Sequence, residues 1–410
     1  MSISARPSTT RRRRILLGAV ALATGMLAMG TTAAVSAAGA SASTRRAPEI
    51  ATGKIDKKKA KPKPKPTTTT TPVPVTNETP PNGSVGISEE GSTLLLPLFE
   101  LWSTAYHQQH PGIGLVAGGG GSGKGITDAA SGVVNIGASD AYLSNSQLTQ
   151  FPGMKNIALA ISAQMINYNI PFFRGHVKLS GQVISAIYQG KITVWNDPAI
   201  LALNPGLAVP ADKIVVLYRS DSSGDTFIFS SYLSAADPSG WGASIGYGTS
   251  ISFPSISNSL GESGNAGMLT GCQATPGCIA YIGISYEAKA QAAGLGLAEL
   301  ENASHNYELP TPATVLAESE ALAAKTPPNE TLSMIYDSAP DGYPIVNYEY
   351  GIIPPKESST QVAQAVQAFL YWAVDPNKGS SSSFLDQVNF QPLPAAVRYL
   401  SQKQIAQIAG

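Results

Sequence analysis

Two cysteines and four histidines are all that 410 residues offer to soft metal-binding chemistry. A structural zinc site needs four such ligands brought together. Cys272 and Cys278 supply two, and His107, His110, His176 and His305 are not near them in sequence. His107 and His110 lie three apart on an expected helix, but no third ligand is in view, so they read as surface residues. No metal, no cofactor and no catalytic residue is therefore expected. Net charge is missing as well, since 27 Lys/Arg balance 27 Asp/Glu. That balance hides a split. Residues 1–82 hold 14 basic and 3 acidic residues, leaving 13 basic against 24 acidic in the remainder. An acidic body lacks the basic face that nucleic acid requires. No internal repeat is visible.

What is present begins with a leader. "RRRRILLGAVALATGMLAMGTTAAVSAAGA" has a basic start, an apolar run and small-residue sites such as Val35-Ser36-Ala37. Residues 1–38 are expected to be a signal peptide, or a signal anchor if they are retained. The apolar run approaches the roughly 20 residues that span a bilayer. The paired arginines also admit a twin-arginine signal. Either way the remainder is expected outside the cytoplasm, and no cysteine is placed for lipid attachment. Residues 39–84 are expected to be a linker. The Lys-Pro alternation of "KKKAKPKPKP" favours extended chain that cannot bury a core. Further on, "GCQATPGC" sets Cys272 and Cys278 around a Pro-Gly turn, which in an exported protein predicts a disulfide.

From Val85 onward, strand and helix patterns alternate. "GIGLVAG", "VVNIGASD", "NIALAISAQMINYNI", "KIVVLYR", "CIAYIGI" and "YPIVNYEYGII" read as strands. "TLLLPLFELWSTAYHQQ", "SGQVISAIYQGKI" (with Ser180 as N-cap) and the amphipathic "SSTQVAQAVQAFLYWAVD" read as helices. The class is α/β. A body of about 325 residues exceeds what one core usually fills, so two lobes are expected.

"LVAGGGGSGKGITDAAS" (Leu115–Ser131) contains most of a nucleotide P-loop, Gly118 to Lys124, but Gly125 stands where Ser or Thr would hold magnesium. A helix of about two turns should follow. Two other segments share its design of small or polar residues at a helix start. In "EEGSTLLLPLFELW" Thr93 is the expected cap. In "YRSDSSGDTFIFSSYL" Ser222, Ser223 and Gly224 precede an aromatic-rich helix. Helix starts carry unpaired N–H groups and partial positive charge, so together they make an anion site. Arg219 could add a bidentate contact to a tetrahedral oxyanion.

These segments, with "VNIGASDAYLS", "AIYQGKITVWNDPAILALNPGLAVP" and "GCIAYIGISYEAK", resemble the phosphate-binding component (PstS type) of the high-affinity phosphate ABC importer. The resemblance runs from about Ser88 to the C-terminus. It implies a two-lobed periplasmic-binding-protein-like fold of type II, with two hinge strands and the ligand cleft between lobes. The boundaries would be 85–168 with 345–410 for lobe 1 and 169–344 for lobe 2. It implies a phosphate site of Thr93, Leu94, Ser122, Asp140, Arg219, Ser223, Gly224 and Asp225. Asp140 would be the one acceptor, taking a hydrogen from P–OH, which sulfate lacks. It also implies a monomer that works with membrane permease subunits and is not an enzyme. A phosphate-ester hydrolase, or a sensor or adhesin on the same fold, is the alternative. Two positions depart from the family pattern. Leu94 stands where an aromatic residue is usual. Asp225 stands where close relatives carry Thr, and its carboxylate is expected to turn away and cap the helix, or else to act as a second acceptor. Lys124 is expected at the rim.

Overall fold

The computed structural model describes residues 78–410. The leader 1–38 and all of the linker up to residue 77 lie outside the described residues. Eight principal strands carry the architecture: β1 (Val85–Gly91), β2 (Ile113–Gly119), β3 (Ile136–Ser139), β4 (Lys155–Tyr168), β5 (Val215–Arg219), β6 (Ser259–Glu262), β7 (Cys278–Gly283) and β8 (Ile345–Ile353). They follow one path through a ten-stranded sheet, in the order β2-β1-β3-β8-β4-β7-β5-β6. Parallel pairs lie at both ends of the path: β2, β1 and β3 at one, β7, β5 and β6 at the other. The middle is antiparallel.

β4 joins the two groups. Its first residues, Lys155 to Ala163, pair with β8, and Gln164 to Tyr168 pair with β7. Thirteen of its 14 residues are buried. That explains why "NIALAISAQMINY" reads as a nearly unbroken apolar run rather than an alternating one. "YPIVNYEYGII" is one long strand, β8, with a β-bulge between Glu349 and Tyr350.

The helices that matter here are α1 (Leu96–Gln109), α2 (Ser122–Ala130), α3 (Gly181–Tyr188), α4 (Gly224–Ala236), α5 (Gly264–Ala274), α6 (Thr360–Val374) and α7 (Ala395–Ile405). Ser180 caps α3, accepting from the Val183 amide at 3.2 Å. α2 has the short length expected of it. α6 departs from a simple amphipathic pattern, because every residue from Ala368 to Val374 is buried. Its aromatics interlock with those of α1: Phe369 lies 6.0 Å from Phe99 and 5.2 Å from Tyr106 between ring centroids. Trp102 lies fully buried in this cluster and donates from Nε1 to the Gly379 carbonyl at 2.8 Å. Trp102→Ala is expected to cost about 3–5 kcal/mol, read as a lower denaturant midpoint. Cys272, in α5, and Cys278, at the start of β7, are joined by the expected disulfide.

Candidate functional site

The start of α1 is built by Ser92 rather than Thr93. Gly91 at φ 147° takes the chain close over β3, where a Cβ would lie 2.1 Å from the Ala138 carbonyl oxygen. Ser92 Oγ then accepts from the Leu94 and Leu95 amides at 3.1 and 3.0 Å. The cap expected of Thr93 is therefore corrected. Thr93 Oγ1 instead accepts from the Asn265 amide and Nδ2 at 3.0 and 3.1 Å. Both hydroxyls stand two or three residues before amides of this turn, and the path of the chain after Gly91 aims Ser92 at them and Thr93 at Asn265. Leu94 is fully buried, and its side chain fills the space a Cβ on Gly283 would take.

The second start is the glycine run. The Gly120 and Gly121 amides both donate to the Gly91 carbonyl, at 2.9 and 2.8 Å, so the first and second starts share one backbone oxygen. Ser122 is the first residue of α2, behind Gly121 at φ 88°. Its hydroxyl donates to Asp140 Oδ2 at 3.2 Å and accepts from the Asp140 amide at 3.1 Å. Lys124 sits at the edge, with a half-exposed side chain paired with Glu90 at 2.6 Å and with Asp128.

The third start lies against the second. Ser223 caps α4, accepting from the Thr226 amide at 3.4 Å. The Gly123 amide donates to the Ser222 carbonyl at 3.0 Å. A Cβ on Gly224 would lie 2.3 Å from Ser122 Oγ and 2.4 Å from Asp140 Oδ2, so only glycine allows this approach.

Arg219 ends β5 with 4% exposure. Its Nε donates to Asp221 Oδ1 at 2.7 Å, Nη2 reaches Asp221 and Nη1 reaches Asp225. Asp225 also accepts from Asn265 Nδ2 at 2.8 Å and Gln164 Nε2 at 3.0 Å. The expectation that Asp225 turns away to cap α4 is overturned. Its carboxylate is buried on Arg219, because an unpaired guanidinium and an unpaired carboxylate at this depth would each be costly.

The electrostatics follow from burial. Desolvation, then the charge of Asp140, push Asp225 up to about 7, with Arg219 opposing them. Burial also raises Asp140, against hydrogen bonds from its neighbours and the charge of Arg219. Burial works to raise Asp221 too, but the hydrogen bond and charge of Arg219 outweigh it and hold Asp221 below the usual range.

All eight residues read from the sequence thus fall in one connected, mostly buried neighbourhood. Sequence reasoning missed Ser92, Gln164, Asp221, Asn265 and Glu349 as members. Ser92 and Asp221 lie inside segments already singled out. Glu349 is an acid in the middle of an apolar strand, a visible anomaly. Asn265 and Gln164 carry no local signal. A cavity of about 290 Å³ lined by Met165, Tyr168, Phe173, Arg174 and Glu287 lies elsewhere and shares no residue with the three helix starts. Among the described residues, no group of three or more His, Cys, Asp or Glu is arranged to hold a metal ion.

Residues 34–377 match the model of the PBP superfamily domain. The phosphate-binding protein PstS of Methanocaldococcus jannaschii is 31% identical over 317 residues, covering 73% of this chain and 80% of that protein. The chain belongs to the PstS phosphate-binding protein family. A second PstS relative, from Xylella fastidiosa, is 28% identical over 321 residues, covering 77% of this chain and 85% of its own length. Among solved structures, a phosphate-binding protein from Stenotrophomonas maltophilia superposes with a TM-score of 0.61 at 19% identity, covering 78% of this chain and 94% of that one. A phosphate ABC transporter substrate-binding protein from Clostridium perfringens, solved with bound phosphate, gives 0.55 at 18% identity over 76% and 100%. At these identities the structures speak for the fold. The PstS family assignment and the α/β sheet with its central antiparallel strands agree with the two-lobed periplasmic-binding-protein architecture expected from the sequence.

Proposed function

We propose that the chain binds inorganic phosphate with high affinity outside the cytoplasmic membrane and delivers it to the permease subunits of an ABC-type phosphate importer. The observation that carries this reading is the meeting of three helix starts around Arg219, with Asp140 lodged between the second and third starts. The starts bring amides and hydroxyls that suit an oxyanion. Asp140 suits a ligand that still carries a hydrogen, which phosphate does near neutral pH. The site residues are Thr93, Leu94, Ser122, Asp140, Arg219, Ser223, Gly224 and Asp225.

Residues 85–168 with 345–410 form lobe 1 and 169–344 form lobe 2, hinged where β4 changes partners and where the chain re-enters β8. The close fit of Gly224 on Ser122 and Asp140 means that the starts must part to admit an anion between them, and hinge motion supplies that. The protein acts as a monomer, and the leader carries it out of the cytoplasm. Among the described residues no helix is long and apolar enough to cross a membrane.

Titration calorimetry with phosphate and sulfate tests the reading. Phosphate should bind tightly and sulfate should not. Ser122→Ala should weaken phosphate binding by about tenfold or more, as expected for losing a hydrogen bond to a charged partner. Lys124→Ala should leave it near wild type, because that ammonium is engaged by Glu90 and Asp128 at the edge. The reverse order of effects would remove the glycine-run segment from the site.

A further inference from the structure

Glu349 sits on β8 with no exposure, behind Asp140. Its Oε1 accepts from Ser162 Oγ at 2.5 Å and from Asn347 Nδ2 at 3.0 Å. No donor from the described residues reaches Oε2. β8 pairs with β3 in a register that sets Tyr350 opposite Ser139, so Glu349 and Asp140 are the next pair along, and Asn347 Nδ2, which serves Glu349, also donates to the Asp140 carbonyl at 3.3 Å. Two acids buried side by side at this depth are not both charged, so one of them holds a proton.

The surroundings decide which acid holds it. Asp140 receives Ser92 Oγ on Oδ1 and Ser122 Oγ on Oδ2, and it feels the positive charge of Arg219. Those partners favour the charged form of Asp140. Glu349 has donors on one oxygen only, which then behaves as the carbonyl oxygen of a neutral acid. Asp225 also lies near Asp140, and the charge of Asp140 helps to raise it, so Asp225 is pushed toward its neutral form beside a charged Asp140.

We propose that Glu349 is a positioning residue, carried as a neutral acid that donates its proton to Asp140 and so fixes Asp140 as the charged acceptor for a ligand hydrogen. This rests on the phosphate-binding reading of the site. A carboxylate offers about four lone-pair positions. Ser92 and Glu349 take two, and Ser122 holds a third until its one hydrogen turns to the ligand, which leaves room for a P–OH. The device therefore favours a ligand that brings one hydrogen to this oxygen pair. It also keeps a second negative charge out of the space an anion must enter. The consequences reach specificity as well as affinity, because an Asp140 that held the proton itself would donate to sulfate instead of rejecting it. Burial raises Glu349 well above the usual carboxylate range, with the charge of Asp140 adding to it.

Three proteins test this: the wild type, Glu349→Gln and Glu349→Leu. Infrared spectra of protein labelled with ¹³C-glutamate should show a protonated-carboxyl carbonyl band at neutral pH in the wild type that is missing from Glu349→Gln. Glu349→Leu should weaken phosphate binding by about tenfold to a hundredfold, the loss of a hydrogen bond to a charged group, and should narrow the phosphate-to-sulfate preference. Glu349→Gln keeps a donor facing Asp140 and should restore both toward wild type. The absence of a Glu349-dependent band overturns the proposal. So does wild-type affinity and selectivity in a folded Glu349→Leu, and so does a Glu349→Gln that fails to bind better than Glu349→Leu. If the wild type binds no phosphate, the functional reading fails, and the infrared band still reports on the proton by itself.

Discussion

Asp140→Asn is expected to bring sulfate binding up toward phosphate binding, erasing a discrimination that can reach about 10⁴ to 10⁵. The reasoning starts from protons. Phosphate near neutral pH carries at least one hydrogen, and an ionised carboxylate accepts it. Sulfate presents only lone pairs to the same carboxylate, and neither side is then satisfied. Asparagine has nearly the same shape, keeps an oxygen for Ser92 or Ser122, and can turn its amide hydrogens toward a bare sulfate oxygen. Phosphate affinity itself should fall less than the ratio does. Calorimetry with both anions measures this, and an unchanged ratio in Asp140→Asn would place the discrimination elsewhere.

The second large effect is on stability. Arg219→Met removes the partner of Asp221 and Asp225, whose side chains are 17% and 1% exposed in their ion pairs with it. Removing one member of a buried pair costs about 3–5 kcal/mol, because it strands the other charge. For a body of this size that lowers Tm by on the order of 10 °C. The pH dependence has a definite sign. In the wild type Asp221 is held below its ordinary 3.8, so its stabilisation is full above that value and is lost as pH falls through the lowered one. The variant lacks this contribution. Asp225 is raised to about 7 already, and without the guanidinium it rises further, which favours its neutral form. The gap between wild type and variant should thus be small in strong acid, open as pH climbs toward about 4, and widen again above about 7. Thermal melts across pH give the answer. A gap that stays constant with pH would mean that the loss is packing rather than charge.

Much of the fold was legible because it rests on local patterns. β4 and β8 read as strands from runs too apolar and too β-branched for a surface helix, and α2 read as short from its glycine start. The site segments were legible for a related reason: Gly121, Ser122, Ser223 and Gly224 mark helix starts, and helix starts bind anions. The error at Thr93 came from the same locality. A Ser-Thr pair offers two candidate caps, and only the path of the chain after Gly91 decides that Ser92 faces the amides while Thr93 faces Asn265. Asp225 was misjudged because its partner lies on another element. A carboxylate in the first turn of a helix reads as a cap until the guanidinium from the end of β5 is found beside it.

The sequence by itself determined the strands β4, β7 and β8, the helix starts at Ser122 and Ser223, that a disulfide closes the Cys272–Cys278 loop, and which residue types could meet an oxyanion. Those properties follow from neighbours a few residues apart. Only the tertiary structure decided that three helix starts lie against one another, that Arg219 lies between Asp221 and Asp225, and that Glu349 stands beside Asp140. These depend on strand order, which brings residue 349 beside 140 and residue 265 beside 93, and on burial, which makes an unpaired charge or donor costly enough to dictate its partner.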